Sequence, residues 1–187
     1  MSRRKLVAGA AVLALGTAGT GAALAATHAQ SAPKRANIDA VEKVKVKINR
    51  YIQDGVRWQK DTYTVRSNGT LHVVNKSPGS GGHTFTVVKE KDLPRTIAQI
   101  NNCKICGTLG MAHGVDPNNP QAPPQFLYLE NGKGQNTRPS VDKPGDSAII
   151  ADRRNASINL KITARKGKTL FFMCLIHPWM QAKVKVR

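Results

Sequence analysis

Acidic residues are scarce: 11 Asp and Glu stand against 29 Lys and Arg, so the 187-residue chain carries a formal +18. Cysteine is scarcer, and its number is odd. Three cysteines cannot all pair, so no disulfide framework accounts for them and at least one is free for chemistry. No long stretch places apolar residues at helical spacing, which argues against a helical bundle. No repeat of solenoid or propeller period is present. The chain offers no Ser/His/Asp or paired-carboxylate arrangement with a spacing signal, so it is read as a non-enzyme. Nucleic-acid motifs are also missing, and nucleic acid is not the expected partner of the basic charge. What the chain does have is 40% hydrophobic residues, enough for a packed core, at a length that suits one domain with an extension.

The first residues read as a leader. Arg3, Arg4 and Lys5 precede a weakly apolar stretch, Leu6 to Leu24, followed by the small-residue patterns Ala23-Leu24-Ala25 and Thr27-His28-Ala29. That order is the layout of an export signal over residues 1–29. Ser2-Arg3-Arg4 resembles a twin-arginine leader, although the usual Phe is missing. The alternative is an uncleaved anchor, since about 20 apolar residues span a bilayer. Either way the remainder, at +15 without the leader's three basic residues, is expected in an oxidising, periplasmic or extracellular compartment. Residues 30–39, with Pro33, read as a short polar linker.

From residue 40 the period is two. Lys43-Val44-Lys45-Val46-Lys47-Ile48 alternates strictly, as a strand with one buried face does. Thr62 to Val65, Thr70 to Val74 and Thr84 to Val88 are short and β-branched, with Asn68-Gly69 as a turn signal. Ile158, Leu160 and Ile162 alternate with polar partners, Thr169 to Cys174 is mostly apolar, and Ala182 to Arg187 alternates again. The expected fold is all-β, most simply a sandwich over residues 40–187. Lys89 to Ser147 breaks the pattern, and Gly114 to Ser147 holds six of the ten prolines. It reads as a loop-rich insertion, with a short helix expected near Asp92 to Ile100.

Within the insertion, Cys103-Lys104-Ile105-Cys106 lacks the His of a haem attachment site and the second CxxC of a zinc ribbon. An exported protein favours a small disulfide here. The sharper alternative is a second metal site built from Cys103, Cys106, Met111 and His113, whose soft sulfur would select Cu(I).

The last segment carries the main chemistry. Phe172-Met173-Cys174-Leu175-Ile176-His177-Pro178-Trp179-Met180 spaces a thiol, an imidazole and a thioether three residues apart, between one strand and the next. A thiolate with two imidazoles and a weak axial thioether is the ligand set of a blue-copper site. The missing imidazole is best supplied by His83, which follows Gly79-Ser80-Gly81-Gly82 and opens a strand on the parity of Phe85 and Val87. Met173, on the opposite parity to Cys174, reads as packing. His72 lies inside a strand pattern and reads as structural.

Cys174-x-x-His177-Pro178-Trp179-Met180 resembles the short ligand loop of the cupredoxins, nearest to the amicyanin type, and Gly82-His83-Thr84-Phe85 resembles their upstream histidine motif. The resemblance covers about residues 40–88 and 149–187 and implies a Greek-key β-sandwich holding one copper ion that cycles between Cu(II) and Cu(I). It implies His83, Cys174 and His177 as ligands and Met180 as the weak axial one. It further implies Thr84 as a hydrogen-bonding partner of the Cys loop, and Pro178 and Trp179 as the apolar rim around His177, where the electron leaves. The 91-residue separation of His83 from Cys174 is long for a small cupredoxin. The expected function is a one-electron carrier between redox partners. A copper-handling protein that stores or delivers metal through Cys103 and Cys106 is the alternative. The basic charge fits a redox partner with an acidic docking surface, an anionic membrane surface, or solubility alone.

Overall fold

Alternation along the chain sorts side chains between a shared core and solvent, and the computed structural model has the two sheets this requires. It describes residues 31–187 apart from 78, 80, 120 and 121; the expected leader lies outside the described residues. In chain order the elements are β1 (Arg35–Val41), β2 (Lys45–Lys47), β3 (Tyr51–Gln53), β4 (Arg57–Trp58), β5 (Thr62–Val65), β6 (Thr70–Asn75) and β7 (His83–Val88). Then come the helices α1 (Ile97–Asn101) and α2 (Lys104–Ala112), and the strands β8 (Tyr128–Glu130), β9 (Lys133–Gln135) and β10 (Ser140–Val141). The strands β11 (Ser147–Ile150), β12 (Ser157–Ile162), β13 (Thr169–Met173) and β14 (Gln181–Val186) complete it.

One sheet has the order β10-β12-β6-β1-β4, the other β5-β14-β13-β7-β11-β8-β9. The chain passes from sheet to sheet between β4 and β5, β5 and β6, β6 and β7, and then at every step from β9 to β13, as Greek-key sandwiches do. Strands β12 and β14 bury every second residue, with Ile158, Leu160 and Ile162 facing Val184 and Val186 in one continuous core. Phe85 and Phe172 stack at its centre, ring centroids 4.0 Å apart. Asn68 takes φ 60° in the β5–β6 turn, as its Asn-Gly pair predicts.

Two expectations need correction. The linker assigned to 30–39 ends earlier: Arg35–Val41 is a core strand, with Ala36, Ile38 and Ala40 buried and parallel to β6. Conversely, the alternating stretch from Lys43 buries nothing. Among the described residues Lys45–Lys47 pairs only with Tyr51–Gln53, in a separate hairpin exposed on both faces. Alternation reports which side chains share a face, not whether that face has a cover.

The insertion is loop-rich and also structural. Its β8–β9 hairpin extends the second sheet beside β11, and β10 joins the first sheet parallel to β12. Helix is present at Ile97–Asn101, overlapping the end of the expected stretch, and again at Lys104–Ala112, beyond it. Cys103, Ile105 and Cys106 pack on Val88, Leu93 and Met173, which cover the outer face of the second sheet. With the core burying Phe85 and Val87 on one face and the insertion meeting Val88 on the other, all six residues of β7 are buried.

Candidate metal centre

Strand β7 begins directly after Gly82, past a turn at Gly79. Gly79, Gly81 and Gly82 all have positive φ, and a Cβ at Gly82 would lie 2.9 Å from the Ile150 carbonyl oxygen. The Asp152 carboxylate accepts hydrogen bonds from the N–H groups of Gly79 (2.6 Å) and Gly81 (3.3 Å). The turn delivers His83 on the inward parity of β7, fully buried. On the neighbouring strand, Phe172 and Cys174 share the inward parity, and Met173, read as packing, packs on the opposite face against the insertion. After Cys174 the chain turns back at once. Met180 N–H donates to the His177 carbonyl (2.8 Å), and Cys174 N–H to the Met180 carbonyl (3.0 Å). The loop folds His177 over Cys174 and returns Met180, fully buried, to the core.

The result is convergence. The Cys174 Sγ lies 3.6 Å from His177 Nδ1 and 4.0 Å from His83 Nδ1, and the three ligand atoms fall within 4.8 Å of one another. A metal bonded to nitrogen at about 2.0 Å and to thiolate at about 2.3 Å needs its N and S donors about 3.5–3.7 Å apart at tetrahedral to trigonal angles. The observed spacings leave room for one ion at the centre of the triangle, with small adjustment at His83. The donor set of one thiolate and two imidazoles, beside a buried thioether, suits a metal that tolerates both soft and borderline ligands.

Further hydrogen bonds fix the donors. His83 Nε2 lies 3.3 Å from Ser77 Oγ; with a metal on Nδ1, Nε2 would carry the proton and donate. Asn75 holds Ser77 through its Oδ1, which accepts from Ser77 N–H at 2.9 Å, and donates through Nδ2 to the Ala151 carbonyl. Thr84 N–H donates to the Cys174 sulfur at 3.3 Å, and Thr84 Oγ1 accepts from Leu175 N–H at 2.7 Å. Behind Thr84, Thr86 Oγ1 donates to its hydroxyl (3.0 Å) and lies 2.7 Å from Ser147 Oγ. Ser147 in turn lies 2.9 Å from His113 Nε2. The row reaches from the ligand loop into the insertion.

Burial governs the protonation states. It pushes the Cys174 thiol up, against the opposing hydrogen bonds from Thr84, His177 and Ile176, so a metal would have to displace a proton held at neutral pH. Burial, and after it the neighbouring His177, lowers His83 to about 4, so this ring is neutral and available as a ligand over the physiological range. His177 is only 7% exposed, edge-on to the Trp179 ring at 5.3 Å. Pro178 is buried, while Ile176 and Trp179 present apolar surface above it, and Trp179 Nε1 donates to the Val56 carbonyl at 3.1 Å.

The second metal site considered for the insertion does not form. Cys103 and Cys106 are joined in a disulfide, which removes both thiolates. Both ring nitrogens of His113 are engaged, Nδ1–H with the Phe126 carbonyl (2.8 Å) and Nε2 with Ser147. Met111 is 62% exposed. His72 bonds Asn159 across β6 and β12, a structural role. Asn75, Ser77, Thr86 and Ser147 were not anticipated, since short polar residues in strands carry no spacing signal.

Among solved structures the chain is similar to auracyanin A, a blue copper protein from the green thermophilic photosynthetic bacterium Chloroflexus aurantiacus. The identity is 17%, over 83% of this chain and 99% of that one, with a TM-score of 0.40. It is also similar to a purple cupredoxin from Nitrosopumilus maritimus (12%; 81% and 99%; 0.37) and to a reduced Cu(I) amicyanin variant (13%; 85% and 88%; 0.38). The chain resembles the cupredoxins. No protein-family model matches it, and no curated protein does. At these identities and scores the case for the centre is carried by the donor atoms themselves.

Proposed function

We propose that this protein is an exported, mononuclear type 1 copper protein that carries single electrons between redox partners and is not an enzyme. The convergence of Cys174 Sγ, His83 Nδ1 and His177 Nδ1 on one buried point carries the reading. In it, His83, Cys174 and His177 hold the metal and Met180 is the weak axial ligand. Copper, when bound, supplies the one-electron Cu(II)/Cu(I) couple. The chain supplies a fixed geometry: the Ser77 bond orients His83, Thr84 holds both the Cys174 sulfur and the backbone of the loop, and the sandwich core keeps water out. A donor set held this firmly, between the preferences of the two oxidation states, needs little reorganisation when an electron arrives. His177, under Ile176 and Trp179, is the exit to an apolar contact surface. The disulfide in the insertion supports an oxidising compartment and hence the export reading. It also takes the thiols that the copper-handling alternative needs.

The test is the visible and EPR spectrum after one equivalent of Cu(II). An intense thiolate-to-copper band with narrow copper hyperfine splitting is expected; a pale solution with ordinary splitting would refute the type 1 centre. Met180→Leu should keep the blue band and raise the reduction potential in cyclic voltammetry, since it removes a donor that favours Cu(II).

A further inference from the structure

The β2–β3 hairpin belongs to neither sheet. Every residue from Glu42 to Asp54 is exposed, and its two strands pair with each other alone among the described residues. Arg50 N–H donates to the Lys47 carbonyl at 3.0 Å to close the turn, with Asn49 at φ 57°. The register places Val46 opposite Ile52 on one face, and Lys45 opposite Gln53 and Lys47 opposite Tyr51 on the other. By alternation, Val44 and Ile48 join the apolar face and Lys43 the basic one. Val46, Ile48 and Ile52 are 59%, 79% and 76% exposed, a cost in water with no packing return. Between Lys43 and Gln53 stand four basic residues and no acidic one. A two-stranded hairpin is at best marginally stable without a partner.

We propose that this hairpin docks the protein on an anionic lipid bilayer. Its apolar face enters the boundary between headgroups and acyl chains, and Lys43, Lys45, Lys47 and Arg50 bind lipid phosphates. The opposed faces select this partner. A protein surface covering Val46 and Ile52 leaves the lysines pointing away from it. A bilayer interface surrounds the hairpin and satisfies both faces, because lysine stems run along the apolar layer while their ammonium groups reach the phosphates. Tyr51, on the basic face, suits headgroup depth. The hairpin also leaves the sandwich beside the metal centre. Val44 lines the same surface recess as Ser77, the partner of His83, and Val56 at the hairpin's exit binds Trp179. The inference rests on the hairpin and is independent of the metal.

The test uses the full chain carrying an environment-sensitive nitrobenzoxadiazole dye on Ile52→Cys, with a control dye on Lys166→Cys. Vesicles of phosphatidylcholine with phosphatidylglycerol should shift the residue-52 emission to the blue and expose it to lipid-borne quenchers; pure phosphatidylcholine should not, nor should the control dye respond. Lys45→Gln with Lys47→Gln should weaken the apparent affinity about tenfold or more, and added salt should do the same. No shift on anionic vesicles, or an equal shift at both positions, would overturn the proposal. A shift that grows with protein concentration without lipid would assign the face to a second copy instead. A shift with polyglutamate and not with vesicles would assign it to an acidic protein. An unchanged copper spectrum in the lysine variant would keep this result separate from the metal reading.

Discussion

Cys103 and Cys174 each have a sulfur- or nitrogen-bearing partner three residues on, Cys106 and His177, yet the two regions end in opposite states. Cys103 caps α2, where its sulfur accepts from Cys106 N–H and then closes on the Cys106 sulfur. The pair is complete within four residues. Cys174 sits at the end of β13 as a free cysteine, and its nitrogen-bearing neighbours are imidazoles, one of them 91 residues away. Spacing alone therefore does not make a metal site. A long-range donor must arrive on the right side, and β7 brings one only to Cys174.

The largest effect expected from this contrast is at Cys174. Cys174→Ser should abolish the thiolate-to-copper absorption, whereas Cys103→Ser with Cys106→Ser should leave it intact; loss of the band in the second variant would erase the distinction. The same double variant should lower stability to urea by about 2 kcal/mol, the loop-closure value for so short a ring. Thr84→Val should cost about 1–2 kcal/mol by leaving the Leu175 N–H without its acceptor, and it should also shift the visible band, since Thr84 touches the loop that carries the sulfur. A stability loss with an unmoved band would make Thr84 a packing residue only.

The smallest effect is a pH slope. Unfolded His83 takes up its proton near the ordinary value of 6.5, but the folded ring does so only at about 4. The unfolded state thus binds more protons in between, and its share of the apo-protein's stability, present above 6.5, should fall away as pH drops towards 4. With copper on Nδ1 the folded ring takes up no proton even below 4, so in the copper form the fall should continue where the apo form levels off. Urea titrations of the apo and copper forms down through pH 4 check it, and a copper form that levels off at the same pH as the apo form would separate His83 from the metal.

Much of the sandwich was legible because its strands have one covered face. Strands β5, β12 and β14 lie close to where alternation puts them. The failures have one cause. Arg35–Val41 alternates as well as residues 43–48 do, but Arg35, Asn37 and Asp39 gave it the composition of a linker, while the lysine-valine run looked like a strand over a core. Only the parallel pairing with β6 decides between them. Of the candidate site, the donors were legible since Cys, His and Met are rare and closely spaced. The polar residues that orient them were not: Asn75, Ser77, Thr86 and Ser147 look like any strand residue until the fold stacks them.

The buried row from Thr84 through Thr86 and Ser147 to His113 bears on protein engineering. Transplanting the heptapeptide Cys174–Met180 into another sandwich would move three donors and leave behind the hydroxyl that holds the loop. A graft that is to keep its colour and potential has to carry β7, the Asn75-x-Ser77 corner and the face of the insertion that ends at His113. In that sense the portable unit is not a loop but the loop together with the strand, corner and insertion face that hold it.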